Sequence, residues 1–327
     1  MRKLASVQKI AEIAPIAGAD KICKYRINGW WVIDSVDKYS VGDKVVYCEP
    51  DSFLPIKPEF EFLRKSCYKK LSDGKEGFRL RTIKLRGQLS QGLIMPLDFD
   101  APEGVDVSEQ LGVELFEPPI PASLSGLVKG NFPSFLNRTD EERIQNLTDV
   151  YDIWREELSF YVTEKLDGSS MTCYNLNGEF GVCSRRMDLK ETSDNAFWIA
   201  AKNHDIMNKL PKNIAIQGEL IGPNVQGNPY KRKSLEMHVF NVYDISNGYY
   251  YDYFGLQHFC EDNGLFHVPI IEKYFKLPKS VDELLTMAEG KSILNKETER
   301  EGFVIRSHDR RISFKVISNK FLLKNGA

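Results

Sequence analysis

Phe160-Tyr-Val-Thr-Glu-Lys-Leu-Asp-Gly-Ser-Ser170 decides how the rest of this 327-residue chain is read. A β-branched and aromatic run enters a Gly-Ser turn, and Met171–Tyr174 leaves it as a second strand. Lys165 therefore stands at a strand end, where a rigid element can aim its amine at a ligand. Two residues on, Asp167 supplies a carboxylate to orient or assist that amine, and Gly168 lets backbone approach a ligand with no Cβ in the way. The turn suits a nucleophilic lysine. Taken alone, a Lys-x-Asp-Gly string is more often half of a solvated hairpin, so the assignment depends on the rest of the chain.

With 42% hydrophobic and 28% charged residues, the chain is long enough for two domains with separate cores. Its formal net charge is −2, so a nucleic-acid partner has to be met by a local basic face rather than a global one. Six cysteines (Cys23, Cys48, Cys67, Cys173, Cys183, Cys260) show no C-x-x-C spacing and no histidine at ligand spacing, which disfavours zinc and a disulfide framework alike. They read as reduced, buried thiols. The N-terminus lacks the apolar core of a signal peptide and no apolar run approaches membrane-spanning length, so the expected location is the cytoplasm, that of the host if the source is a virus.

From Leu4 to about Leu97 short strands alternate with turns: Trp30–Asp34, Lys44–Cys48, Gly77–Ile83 and Gly92–Met95. This is a small β-barrel pattern, and Ser40-Val-Gly-Asp-Lys-Val-Val-Tyr47 with Ser52-Phe-Leu-Pro55 resembles the OB-fold modules of RNA-handling enzymes. Between Arg64 and Arg86 nine basic residues face two acidic ones, with Tyr68 and Phe78 interleaved. Such a stretch can follow a phosphate backbone, which makes Arg79, Arg81, Lys84 and Arg86 candidate nucleic-acid contacts; the plainer reading is the solvent side of strands. Ala101–Pro133, rich in Pro and Gly, reads as a linker, giving domains over 1–125 and 126–327.

Thr139-Asp-Glu-Glu142 reads as a capping box opening a short helix that carries Arg143-Ile-Gln-Asn146. After the lysine turn the expected elements are strands Glu179–Ser184, Asn213–Leu220, Glu236–Ile245, Phe303–Ile305 and Ile312–Ile317, with helices over Asp194–Leu210 and from Ser280. The class is α+β. No Gly-x-Gly-x-x-Gly follows a strand and no P-loop is present, so a nucleotide site here is of neither Rossmann nor Walker type.

Four further stretches set charges in or at the ends of apolar strands, which is costly unless they pair or bind something: Ser184-Arg-Arg186, Gln217-Gly-Glu-Leu220, Glu301-Gly-Phe-Val-Ile305 and Ser313-Phe-Lys-Val-Ile317. In this order with Lys165 they resemble the nucleotidyltransferase motifs of the covalent ligase and capping-enzyme superfamily. With the OB-like module and Thr139–Asn146 ahead of the lysine, the chain resembles the ATP-dependent RNA ligases of the Naegleria and Deinococcus type. Only twelve residues follow Lys315, which leaves no room for the C-terminal OB domain of DNA ligases and capping enzymes.

The resemblance implies a C-terminal adenylyltransferase domain of ATP-grasp-like antiparallel sheets behind a small N-terminal β-barrel. It implies ATP as cosubstrate and Mg²⁺ or Mn²⁺. It also implies a three-step joining of an RNA 3′-hydroxyl to a 5′-phosphate, as in RNA repair, by a monomer with no membrane partner. Lys165 would carry AMP, attacking as a neutral amine although its ordinary pKa is about 10.4. Asp167, Glu219 and Glu301 would serve the metal or its waters, and Arg185 the sugar or incoming phosphate. Lys315 would bind the AMP phosphate. Arg143 and Gly168 would also line the nucleotide, with Phe240 stacked on adenine and Tyr243 its rival. Relatives often have a second lysine where Ser313 stands here, Arg311 being the nearest substitute. Alternatives are a ligase for nicks in DNA/RNA hybrids and an inactive, RNA-binding ligase scaffold.

Overall fold

The computed structural model describes residues 2–117, 126–309 and 312–324. The chain forms two compact units: the described residues of Met1–Pro119, Ile144–Tyr151 and Leu322–Ala327, and those of Ile120–Arg143 and Asp152–Phe321. None of the helices among the described residues is long and apolar enough to cross a membrane.

In the first unit the strand Lys44–Cys48 is a shared wall, pairing antiparallel with Ala5–Lys9 and Leu93–Pro96. Successive side chains leave a strand on opposite faces. Val45 and Tyr47 enter one cluster with Tyr25, Trp30 and Val32, whereas Val46 and Cys48 enter another with Leu54, Phe60 and Phe78. Burial on both faces explains why Val-Val-Tyr-Cys has no polar member. An antiparallel meander of Glu12–Ile16, Ala19–Ile27 and Trp30–Ser35 supplies the inward residues of the first cluster.

The strand expected over Gly77–Ile83 is two strands, Glu76–Arg79 and Thr82–Leu85, the second pairing with Gln88–Gln91. Arg86 and Gly87 both have positive φ (46° and 78°), the geometry of a tight two-residue hairpin loop. The Pro- and Gly-rich stretch 101–133 is more than a connector. Ala101, Val107 and Val113 are buried in the second cluster, and Val128–Asn131 is an edge strand of the second unit. Single apolar side chains can be buried by irregular backbone without a repeating pattern to announce them. Pro118, Pro119 and Pro121 lie outside the described residues.

Two antiparallel sheets build the second unit. One runs Glu142–Arg143, Ser313–Ile317, Gly302–Ser307, Phe160–Lys165, Ile270–Phe275, its first pair parallel. The other has eight strands, with Ser169–Leu176 beside Ile214–Ile221 at its centre and Glu236–Asp244 next. Met171, Cys173, Ile216 and Val239 pack with Trp198 of the helix Ala196–Asn203. The helix expected over Asp194–Leu210 breaks at Asp205, whose φ of 51° is left-handed, and resumes as Ile206–Lys209. The helix expected from Ser280 runs Val281–Met287, with the Ser280 hydroxyl accepting the Glu283 N–H at 3.2 Å and the Glu283 carboxylate accepting the Lys279 N–H at 3.2 Å. Thr139–Glu142 opens no helix; Glu142–Arg143 is instead a strand, drawn into the ladder by Phe314 and Lys315.

Ile144–Asn146 forms a single 3₁₀ turn tied to the first unit. The Gly29 N–H donates to the Gln145 carbonyl at 2.8 Å, the Trp30 indole donates to Asn146 at 2.6 Å, and Asn146 donates to Glu49 at 2.6 Å. A Cβ on Gly29 would lie 2.6 Å from Gln145 Cα, a backbone atom that cannot step aside. Gly29→Ala is therefore expected to lower the melting temperature by several degrees, at about 1–3 kcal/mol for overpacking. Gly130→Ala, which meets no atom within 4 Å, should leave it unchanged; equal melting of the two variants would contradict this packing.

Candidate active site

Two glycines let the strand ends carrying the site close on one another. A Cβ on Gly168 would lie 2.4 Å from the Leu220 carbonyl and 2.9 Å from Glu219 Cγ. Gly302 has φ of 154°, and a Cβ there would lie 2.0 Å from the Val316 carbonyl. Gly302 pairs with Lys165 across the ladder, so Glu301 arrives beside the lysine, and Ser170 pairs with Glu219. Side chains distant in sequence are thus set together by backbone contacts that any larger residue would open.

Lys165 Nζ lies 2.8 Å from Glu301 Oε1, with 28% and 15% of the two side chains exposed. Burial works to depress the amine, but the carboxylates of Glu301, Glu219 and Asp167 outweigh it and hold the lysine pKa above its ordinary value. The same crowding acts in reverse on the acids. Burial pushes Glu219 up to about 8, Lys165 opposing and Glu301 and Asp167 reinforcing. Burial and the Glu301 charge raise Asp167 to about 6 against the pull of Lys165. In the protein alone the amine is therefore an ammonium; burial by itself does not make the free base.

On the other side stand cations. Lys315, in the strand next to Gly302–Ser307, pairs through Nζ with Asp140 Oδ1 at 3.0 Å, and Arg185 Nη2 lies 3.3 Å from Asp140 Oδ2. Asp140 thus holds together the two cations expected to meet phosphate. Burial depresses the Lys315 pKa; Asp140 opposes this, and the charges of Arg143 and Lys165 add to it. Arg143 is buried and opposite Lys315 in the parallel pair. Ser313, two residues before Lys315, lies on the same strand face, and Arg311 lies outside the described residues.

An apolar wall completes the site. The register of Ile214–Ile221 against Glu236–Asp244 slips so that Gln217 meets Asn241 and Gly218 meets Val239, leaving Phe240 as the extra residue of a β-bulge. Phe240 packs against Leu166, Ile221, Tyr230 and Val268, with the Arg306 guanidinium 5.8 Å from its ring. Tyr243 faces a different cluster and contacts the Tyr250 ring at 4.8 Å.

Several residues around the lysine carry no sequence signal. The Asp167 N–H donates to the Tyr230 hydroxyl at 2.6 Å, fixing the turn from a loop more than sixty residues away. Buried Arg306 pairs with Glu141 at 3.0 Å, and buried Glu164 accepts the Ile293 N–H at 2.8 Å. Asp140, read above as part of a helix cap, is instead the carboxylate that pairs with both Lys315 and Arg185. Among the described residues no three His, Cys, Asp or Glu side chains gather as direct ligands of one metal ion. Asp167, Glu219 and Glu301 are nevertheless hard oxygen donors close enough to perturb one another, a set that fits Mg²⁺ or Mn²⁺ held in part through water.

Arg79, Arg81, Lys84 and Arg86 belong to the first unit, whereas Lys165 and the residues gathered around it belong to the second. Arg79 lies 3.5 Å from Asp51 and 4.2 Å from the Phe116 ring centroid, which gives it packing to do. Lys84 and Arg86 are exposed on the hairpin, and Arg81 is half-buried.

An OB-fold domain model matches residues 4–97 and an RNA ligase model matches residues 158–321. No curated protein sequence matches the chain. Among solved structures, Naegleria gruberi RNA ligase with PPi is 40% identical, covers 100% of this chain and 99% of its own, and superposes with a TM-score of 0.91. A glutamate-to-alanine mutant of that ligase with ATP and Mn is 39% identical over 100% of both chains, with a TM-score of 0.92. A lysine-to-methionine mutant with AMP and Mn is 40% identical over 98% of both, with a TM-score of 0.92. With an N-terminal OB-fold domain ahead of antiparallel ligase sheets, and with this likeness over its whole length, the chain belongs to the RNA ligase family.

Proposed function

We propose that this chain is an ATP-dependent RNA ligase that joins an RNA 3′-hydroxyl to a 5′-phosphate through lysyl-AMP and RNA-adenylate, in RNA repair. The observation that carries the reading is the position of Lys165, beside Glu301, Glu219 and Asp167 and close enough to Lys315 for their charges to interact, with Lys315 in turn near Arg143 and joined to Arg185 through Asp140. The Naegleria structures with ATP and Mn support the choice of cosubstrate and ion.

Lys165 Nζ bonds to the α-phosphorus of ATP as pyrophosphate leaves. The RNA 5′-phosphate then displaces the lysine from AMP, and the 3′-hydroxyl displaces AMP from the RNA. Each step forms one bond to phosphorus and breaks another, without redox change. Lys165 has to lose a proton first, and its carboxylate neighbours hold that proton on. A divalent ion held by Asp167, Glu219 and Glu301, directly or through water, would neutralise those carboxylates and stabilise charge on the phosphates. Lys315 and Arg185 then serve the phosphate once it replaces Asp140 between them. Phe240 offers its ring to the base.

A nicked RNA duplex with a labelled 5′-phosphate should be sealed in the presence of ATP and Mn²⁺, and one with a 5′-hydroxyl should not. Lys315→Ala should slow sealing roughly a hundredfold, the scale for loss of one charge-stabilising donor. Sealing of the 5′-hydroxyl strand, or an unchanged rate in the variant, would contradict the assignment.

The crowded acids also predict a pH dependence for the metal-free fold. Glu219 and Asp167 bind protons in the folded chain over a range where unfolded carboxylates have ionised, so folding stability falls as pH rises through about 6 and 8. In EDTA, Glu219→Gln should melt higher than wild type at about pH 8, with the gap narrowing toward the ordinary carboxylate range. Parallel melting curves at every pH would sink this account of the cluster.

A further inference from the structure

Lys24, Arg26 and Trp31 lie on the outer face of the first unit's meander. Along Ala19–Ile27, Cys23, Tyr25 and Ile27 are buried, which turns Lys24 and Arg26 outward. Across the ladder Trp30 and Val32 are buried, so Trp31 and Ile33 face the same way, Trp31 opposite Arg26 and Ile33 opposite Lys24. The tandem tryptophans thus have separate surroundings: Trp30 is fully buried with its N–H on Asn146, whereas the Trp31 ring is half-exposed and flanked by cations. Lys24 Nζ lies 4.7 Å and Arg26 Cζ 5.0 Å from its centroid.

The hairpin Thr82–Leu85/Gln88–Gln91 extends this face. Lys24 Nζ donates to Gln88 at 3.2 Å, and the Ile33 N–H donates to the Ser90 hydroxyl at 3.0 Å. Ile83 pairs with Ser90 and Leu85 with Gln88, so both apolar side chains share the hairpin face turned toward the meander, yet stay 42% and 38% exposed. Two carboxylates flank this face, Glu12 opposite Arg26 and Asp20 farther along the same side of Ala19–Ile27. An indole flanked by two cations, beside exposed aliphatic side chains, offers a base a stacking surface and its neighbours a countercharge.

Resting on the reading that the chain acts on RNA, we propose that this face binds single-stranded RNA, Trp31 stacking on a base while Lys24 and Arg26 take the flanking phosphates. The test is fluorescence anisotropy of the full chain with a labelled single-stranded oligoadenylate of about 12 nucleotides, over a range of salt. Trp31→Ala should bind about tenfold more weakly, and Trp31→Phe, which keeps a ring, should stay within about threefold of wild type. Lys24→Ala with Arg26→Ala should reduce the salt slope by about 1.4, at about 0.7 for each lost phosphate contact. Uptake of AMP from ATP, which needs no RNA, should be unchanged in all three. Wild-type affinity in a folded Trp31→Ala, or an unchanged salt slope in the double variant, would overturn the proposal. Absence of AMP uptake by wild type would instead sink the ligase reading, leaving the binding data to decide the face.

Discussion

Lys165 is held at the end of its strand by a charge that, in the proposed reaction, it must lose before it attacks ATP. The 2.8 Å pair with Glu301, supported by Glu219 and Asp167, keeps the amine protonated and in place in the protein alone. Burial, reinforced by the charges of the neighbouring acids, in turn makes Glu219 and Asp167 hold protons above the carboxylate range. Such a cluster costs stability and prepares for a cation: bringing positive charge to the acids removes their repulsion and weakens their grip on the lysine proton together. Opposite charges also meet at Asp140, which pairs with both Lys315 and Arg185, the two cations proposed to bind phosphate.

This arrangement depends on backbone before it depends on charge. Gly302 and Gly168 sit where a Cβ would strike a carbonyl of the next strand, and these approaches bring Glu301 and Glu219 to the lysine. The phenylalanine bulge is a third device of this kind. One extra residue in Glu236–Asp244 sets Phe240 against Leu166 while Tyr243 packs elsewhere.

Much of this was legible in the sequence, because strands buried on both faces leave continuous apolar runs and the charges interrupting them stand out. Lys44–Cys48 and the lysine strand follow from that contrast, as do Glu219, Glu301 and Lys315. What was not legible depended on contacts between distant segments. Nothing local marks Tyr230 as the acceptor of the Asp167 N–H, and nothing in Thr139–Glu142 says that its acids pair with Arg185, Lys315 and Arg306 rather than cap a helix. Period-two alternation did put Arg79 on the outside of its strand, but only the fold shows it packed on Phe116. Trp30 and Trp31 fall in a strand legible from the sequence, but which of the two faces outward is set by the ladder.

The central claim is that Lys165 is the nucleophile and that the carboxylates control its proton. Intact-mass spectrometry after incubation with ATP and Mn²⁺, at several pH values, tests both parts together. The account predicts an AMP-sized gain in wild type and none in Lys165→Ala. It also predicts that the gain forms faster as pH rises toward the range where the amine loses its proton. A gain that survives Lys165→Ala, or one whose rate ignores pH, would contradict it.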